Sequence, residues 1–512
     1  MPERSLTRTA RALLAFSNRV LTHIAASLIT LLITPTVLLG LGQEMYGAWQ
    51  VIREQMNFLS MGQFRPMGVL RLTLARTAAT TDDLDKRRQV WAALQVWCMT
   101  IPLLTLFSGL LVYYAPRLIP VTEAHVPTVQ LGLIIAGVVV VLTPLLNLPG
   151  SILQGLNSEY RSMGVQATGI ILANLSIYGL VLLGFGLPAV LIGSALQITL
   201  VGTANFIIVR RHVPWFGISR PLPGMVRQFF MLNFWNLHAA FCRSIFKSGD
   251  LILIGFHFGP KSVTLYTLTR AIMDRIMEPL LQFFDAGLPG VGELLGSGQK
   301  ERLVRLRGEM VRVLWFGLTL TGCGVILLNG AFLRLWVGEA FFGGQHLTQA
   351  LVILTMTTAV SNLELMIVDS ALRLREKAWA LTLGAMVYLG GFFWLKSHLG
   401  LVAVALAQAV GTLLLIGLFW VVVAHTLDLT PSGLLRIYVR PVMVSGILLA
   451  VTSWLAPFVA KNWLFFLLNG FGVLLVVAPL AWFGILETSD RRRLGERLRS
   501  LLPRRKKMDQ NV

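Results

Sequence analysis

Runs of about twenty apolar residues recur along this chain, and the segments between them alternate between basic and nearly uncharged. A run of that length, wound as a helix, crosses the ~30 Å hydrocarbon layer of a bilayer. In lipid every backbone amide must find its partner within the protein, so such runs become helices or a closed barrel. Unbroken apolar runs without period-two alternation select helices. Hydrophobic residues make up 55% of the 512 and charged residues only 13%, with a mean hydropathy of +0.71. These values exclude a soluble globular domain and predict an all-α polytopic membrane protein.

The net charge of +20 invites a nucleic-acid partner, but its distribution opposes one. About three quarters of the lysines and arginines fall in alternate loops and tails, which is the positive-inside pattern. It predicts about fourteen spans with both termini in the cytoplasm. The runs are 20–42, 46–67, 90–114, 128–150, 165–185, 187–209, 228–257, 263–288, 311–332, 348–371, 379–396, 401–424, 440–460 and 463–485. Cys98, Cys242 and Cys323 all lie within runs and show neither a disulfide framework nor metal-ligand spacing. Residues 1–19 place Arg4, Arg8 and Arg11 on one face and read as a short interfacial helix. They do not read as a cleaved signal peptide, because the apolar run that follows is too long and lacks an A-x-A site. Residues 487–512 set Leu494, Leu498, Leu501 and Leu502 against many arginines and end in a basic cluster from Arg504 to Lys507. This is the pattern of a cytoplasmic amphipathic helix held to anionic membrane lipids.

Within this apolar background the stretch 243–285 is unusual. It carries Arg243, Lys247, Asp250, Arg270, Asp274, Arg275, Glu278 and Asp285 on what read as two spans joined at Gly259-Pro260. A charge at the bilayer centre costs at least ~3 kcal/mol on insertion scales, so such residues face a partner or a wet cavity. Arg243 and Lys247 are one helical turn apart and repel each other. They call for an anion, either an acidic side chain or a substrate. The second span has its own polar stripe, Gln50, Arg53, Glu54, Asn57 and Met61.

These two polar regions are related. Gly42-Gln-Glu-Met-Tyr-Gly-Ala-Trp49-Gln-Val-Ile-Arg53 aligns without gaps on Gly259-Pro-Lys-Ser-Val-Thr-Leu-Tyr266-Thr-Leu-Thr-Arg270, and Asn57 then falls on Asp274. Gly186-Leu-Pro-Ala-Val190 matches Gly400-Leu-Val-Ala-Val404 at nearly the same offset. The matches predict two pseudo-symmetric six-helix lobes, 1–226 and 227–426, followed by two further helices over 427–486 and the tail from 487. Arg53 and Arg270 are then expected at similar depth, facing each other across a central cavity.

The segment Leu41-Gly42-Gln43-Glu44-Met45-Tyr46-Gly47, followed by a polar second helix, resembles the polysaccharide-transporter branch of the MOP superfamily, the Wzx-type O-antigen flippases. Asp250-Leu-Ile-Leu-Ile-Gly255-Phe-His-Phe-Gly259-Pro260 with Tyr266 resembles that family's mid-chain turn. Pro149 with Leu153-Gln154-Gly155-Leu156 resembles its fourth-helix end, and Leu333-Arg334-Leu335-Trp336-Val337-Gly338 its turn after the ninth helix. The resemblance covers about 12–425 and implies a V-shaped helical bundle that flips an undecaprenyl-pyrophosphate-linked oligosaccharide, an O-antigen or exopolysaccharide repeat unit, to the periplasmic leaflet. A polysaccharide polymerase and other biosynthesis proteins are the implied partners. Two relatives compete. Ser17-Asn18-Arg19-Val20-Leu21 is similar to the first-helix entry of MurJ-like lipid II flippases, but Ile24 and Ala25 stand where an Arg-Asp pair is expected. MATE-type exporters share the fold, yet usually carry cations, which intramembrane basic residues disfavour.

On this basis Arg53, Arg243, Lys247, Arg270, Arg275 and Asn57 are the candidate pyrophosphate and sugar contacts. Glu54, Asp250, Asp274 and Glu278 are the candidates for charge balance or for H+ or Na+ coupling. The bland alternative pairs Arg53 with Glu54, Arg270 with Asp274 and Arg275 with Glu278. Asp83-Leu84-Asp85 is formally the D-x-D of glycosyltransferases, but beside Asp82 in a basic loop it reads as a helix start. Lipid-linked polysaccharide polymerases and ligases remain an enzyme alternative. They use a large outer loop, whereas here no outer loop exceeds roughly fifteen residues by span counting. No HExxH, G-x-S-x-G or nucleotide fingerprint occurs, so no catalytic residue, metal site or cofactor is expected.

Overall fold

The computed structural model describes residues 8–61, 66–77, 82–156, 158–162, 164–227, 234–285, 291, 294–295, 297–371, 373–456 and 462–493. Among them are helices and turns and no strand. The helices are α1 (Arg8–Met61), α2 (Pro66–Thr77), α3 (Asp83–Leu118), α4 (Val126–Gly155), α5 (Val165–Leu182), α6 (Leu187–His212) and α7 (Phe234–Phe258). They continue with α8 (Pro260–Asp285), α9 (Lys300–Trp336), α10 (Gln345–Ser370), α11 (Leu374–Leu399), α12 (Leu401–Leu427), α13 (Pro431–Leu455) and α14 (Trp463–Ile485).

Among the described residues eleven helices are long and apolar enough to cross a membrane, α1 counting once from Ala26. Gly42 interrupts α1 at φ 75 and ψ 165, so its 54 residues form two rods. The helices α7 and α8 have 25 and 26 residues, enough length to span, and it is their charges that lower their hydropathy. With α1 counted as two rods and α7 and α8 counted by length, the described residues hold the fourteen membrane-length helices that the charge alternation predicts.

Two boundaries differ from the sequence reading. Helix α1 ends at Met61, and the basic segment after it contains α2, whose Leu70 and Leu74 are fully buried against α3 and α4. Helix α9 starts at Lys300, well before the apolar run. Hydropathy marks only the lipid-facing part of a helix, and Leu303 and Arg307 are buried in the part that precedes it. At the start of α3, Asp82 Oδ1 accepts the Asp85 amide at 2.9 Å, with Asp83 and Asp85 in the first turn. A carboxylate cap at the positive end of the helix dipole is the helix-start reading of this cluster.

The internal repeat reappears in the backbone. Gly42 and Gly259 take φ 75 and 80, and Gly186 and Gly400 take φ 58 and 54. The amides of Ala189 and Ala403 bond back to Gly186 and Gly400 at the same 3.1 Å. Positive φ costs an L-residue steric strain that glycine escapes, so each aligned pair meets the same backbone demand.

The chain divides into two compact units, 1–268 with 374–408, and 269–373 with 409–512, so the boundary passes through α8 and α12. In the first unit small residues let helices touch: a Cβ on Gly202 of α6 would stand 2.8 Å from the Leu146 carbonyl of α4. In the second unit α9 packs on α10, α13 and α14. Exposed side chains of α14 such as Leu464, Leu467, Phe471 and Phe483 form a lipid-type surface.

The chain after α14 folds back onto α9. Asp490, 3% exposed, accepts from Arg312 Nε at 2.5 Å and Nη2 at 3.1 Å. Glu487 pairs with Arg312 at 3.2 Å, and Arg493 pairs with Glu309. The start of the predicted tail is therefore docked, and Leu494 to Val512 lie outside the described residues.

Candidate functional site

The polar half of α1 lies antiparallel along α7. At one end a Cβ on Gly47 would collide with the Pro260 carbonyl oxygen, and Thr264 Oγ1 donates to the Gln43 carbonyl at 2.6 Å. Further along, a Cβ on Gly255 would stand 2.6 Å from Val51. Beyond that, Phe58 and Phe241 meet edge to face with centroids 5.3 Å apart. Between these contacts α1 carries Arg53, Glu54 and Asn57, and α7 carries Arg243, Lys247 and Asp250. The two sets of candidate residues thus share one stretch of a single helix pair.

Within it the acid on α1 is shared. Glu54, 7% exposed, accepts from Arg53 Nη2 at 3.3 Å and from Asn57 Nδ2 at 3.1 Å. The Arg53 guanidinium also lies 5.6 Å from the Trp49 ring centroid, a cation–π distance. Glu54 is buried while half of the Arg53 side chain remains exposed, so the guanidinium keeps donors for a further anion. On α7, Arg243 and Lys247 are exposed. Lys247 makes no hydrogen bond or ion pair among the described residues.

Asp250 is fully buried where α7 meets α8. Its carboxylate accepts the Leu251 amide at 2.8 Å and the Tyr266 hydroxyl at 3.4 Å. Ser248, also fully buried, has its hydroxyl without a partner among the described residues. Tyr388 of α11 packs beside Gly249 and stacks on Phe246. Gln408 donates to the Phe246 carbonyl at 2.5 Å. Sequence reading found Asp250 but not Ser248, Tyr388 or Gln408. The latter two are distant in the chain and ordinary in their own segments.

In the second unit Arg270 Nε donates to Asp274 Oδ1 at 2.9 Å, one turn along α8. The pairing expected on the bland reading is therefore formed in both repeats, Arg53 with Glu54 and Arg270 with Asp274. Arg275 is partly buried, and the side chain of Glu278 lies outside the described residues, as does that of Asp285.

A buried polar cluster of the second unit was not singled out from sequence. Glu364 of α10 and Arg307 of α9 are 0% and 1% exposed and form a two-point ion pair, with Arg307 Nε on Glu364 Oε2 at 3.1 Å and Nη2 on Oε1. Tyr438 of α13 and Trp420 of α12 donate to the same Oε1 at 2.5 and 3.1 Å. By sequence Arg307 is one of four basic residues, with Lys300, Arg302 and Arg305, that precede the apolar run 311–332. The available signal was an acidic residue inside the apolar run 348–371.

No family model matches the chain, and no curated protein matches it by sequence. Solved structures do match in fold. A lipid II flippase MurJ in an inward closed conformation aligns with TM-score 0.65 at 14% identity, over 91% of this chain and 98% of that one. An inward-facing multidrug resistance MATE transporter of the MOP superfamily aligns with TM-score 0.62 at 15% identity, over 80% and 98%. The MATE multidrug transporter DinF-BH aligns with TM-score 0.58 at 16% identity, over 84% and 98%. This multi-pass membrane protein has the fold of the MOP-superfamily flippases and multidrug transporters.

Proposed function

We propose that the protein is a flippase that moves an undecaprenyl-pyrophosphate-linked oligosaccharide from the cytoplasmic to the periplasmic leaflet by alternating access. The observation that carries this reading is the concentration of exposed cations, Arg53, Arg243 and Lys247, on one antiparallel helix pair of a MOP-type fold. Cations held in lipid-depth helices need an anion, and a guanidinium fork suits a phosphate. In this reading Arg53, Arg243, Lys247 and Arg270, with Arg275 and Asn57, contact the pyrophosphate and first sugar. Glu54, Asp274 and Glu278 balance charge. Asp250, fully buried, is the candidate acid for a coupling H+ or Na+. Both termini lie in the cytoplasm of the bacterial inner membrane, and the lobes 1–226 and 227–426 rock against each other.

Lipid II transport is the second reading. It is favoured by the 91% coverage in the MurJ alignment, against 80% in the MATE alignment. Export of organic cations fits the fold but not the basic helix pair.

The test is a leaflet-translocation assay in proteoliposomes. The expected result is movement of a fluorescent undecaprenyl-pyrophosphate glycan that falls at least tenfold in Lys247→Ala. Movement of lipid II in preference to the oligosaccharide lipid supports the second reading. Transport of an organic cation with neither lipid moving overturns both.

A further inference from the structure

A small, partly open cavity with room for about one water molecule lies inside the first unit, between the polar half of α1 and helices α3 and α4. Its walls are mostly apolar, with Ile52, Leu111 and Leu133 among them. Two polar side chains interrupt that lining. Gln55 is 6% exposed, and its Oε1 is sealed from solvent without a hydrogen-bond partner among the described residues. Ser108 Oγ, on α3 across from it, is likewise sealed and unpartnered. Ser108 is pressed against Gly137 of α4, where a Cβ would meet its Cβ and Oγ at 3.0 Å.

Two sealed polar atoms in an apolar wall are not a neutral arrangement. Buried polar groups in folded proteins are almost always satisfied by protein or by ordered water. Leaving one unmade forfeits its interaction with solvent and gains nothing in return. The amide of Gln55 offers an acceptor in Oε1, and the hydroxyl of Ser108 acts as donor or acceptor. Neither side chain carries a charge, and two neutral oxygens are too few to replace the hydration shell of a cation. One neutral molecule donates and accepts at once and fits so small a polar opening. Buried waters typically make about three such bonds, and they occur in polar cavities rather than in wholly apolar ones.

We propose that this cavity is a hydration site, in which an ordered water donates to Gln55 Oε1 and shares a hydrogen bond with Ser108 Oγ, bridging α1 to α3. The site occupies the α1 face formed by Ile52, Gln55, Met56 and Leu59, distinct from the stripe of Arg53, Glu54 and Asn57. The rod that bears the cationic stripe is therefore tied to its own unit through an exchangeable water. Such a bridge is nearly as favourable as a direct hydrogen bond and re-forms after a small sliding of the helices.

The experiment uses the full-length protein in detergent. A high-resolution map should show density within hydrogen-bond distance of both Gln55 Oε1 and Ser108 Oγ. Gln55→Leu and Ser108→Ala should each lower the melting temperature by a few degrees. The double variant should fall no further than the worse single one, since removing either partner already breaks the bridge. Gln55→Met serves the same purpose where Gln55→Leu does not fold. A rise in melting temperature in Gln55→Leu or Gln55→Met would mean that the cavity is dry and welcomes an apolar filler. That rise, a direct Gln55–Ser108 hydrogen bond in the map, or additive losses in the double variant each overturn the proposal.

Discussion

Gly47 and Thr264, which occupy the same place in the two copies of the sequence repeat, pack against each other. A Cβ on Gly47 would stand 2.8 Å from Thr264 Oγ1. Their neighbours cross over in matching fashion. Gly47 approaches Pro260, while Thr264 bonds to Gln43, and Gln43 and Pro260 are themselves equivalent in the repeat. Two copies of one turn thus interlock about a local two-fold relation, and the self-equivalent pair sits at its centre. Glycine is required there because the Pro260 carbonyl occupies the space of any side chain.

Gly47→Ala should therefore force the two turns apart. Overpacking of this kind costs about 1–3 kcal/mol. The melting temperature in detergent should drop, whereas Thr264→Val, which loses the hydroxyl shared between the Gln43 and Pro260 carbonyls, should cost nearer ~1 kcal/mol. Equal stability of Gly47→Ala and the parent protein would contradict the close approach.

Arg270 offers a test between substrate contact and local pairing. Charge-assisted contacts contribute about 1.5–3 kcal/mol, and about 1.4 kcal/mol is a factor of ten. Arg270→Ala should weaken transport roughly tenfold or more at unchanged expression. Arg270→Lys should recover only part, because an ammonium lacks the bidentate fork. If Arg270 serves only Asp274, the double variant Arg270→Ala with Asp274→Ala transports normally, and phosphate contact by Arg270 is ruled out.

The pair Arg307–Glu364 should behave as structure rather than as site. Glu364→Ala leaves a buried guanidinium without its carboxylate, which costs about 3–5 kcal/mol. Replacing both, as Arg307→Met with Glu364→Leu, should restore most of the loss in thermal stability. A double variant as unstable as Glu364→Ala would show that the cluster does more than neutralise itself.

Truncation separates the docked part of the tail from the remainder. Ending the chain after Arg493 keeps the Arg312–Asp490 pair and should leave abundance unchanged. Ending it after Glu487 removes Asp490 and should lower abundance in membrane fractions. Equal abundance of the two truncations would deny Asp490 an anchoring role.

Reporter fusions address orientation. Fusions after Arg211 and at Val512 should both report cytoplasm, as the positive-inside pattern requires. A periplasmic signal at Val512 implies an odd number of spans and rejects the two-lobe scheme.

Membrane class, helix content and the internal repeat were all written in the linear sequence. Apolar run length, helix-start carboxylates and glycine placement are local properties, and each acts through the residue's own backbone or its immediate neighbours. That is why Asp82 caps α3 as expected, and why Gly42 and Gly259, aligned by letters alone, both take a positive φ. Local ion pairs such as Arg53 with Glu54 and Arg270 with Asp274 were legible for the same reason. Tertiary structure alone decided which distant charges meet. Arg307 stands in a basic segment of the chain, and only packing brings it to Glu364, 57 residues away. Asp490 falls in the stretch that reads as a lipid-bound amphipathic tail, and only packing pairs it with Arg312. Hydropathy records how a segment partitions between water and lipid, while the partner of a buried charge is chosen by the side-by-side packing of helices, and no spacing along the chain encodes it.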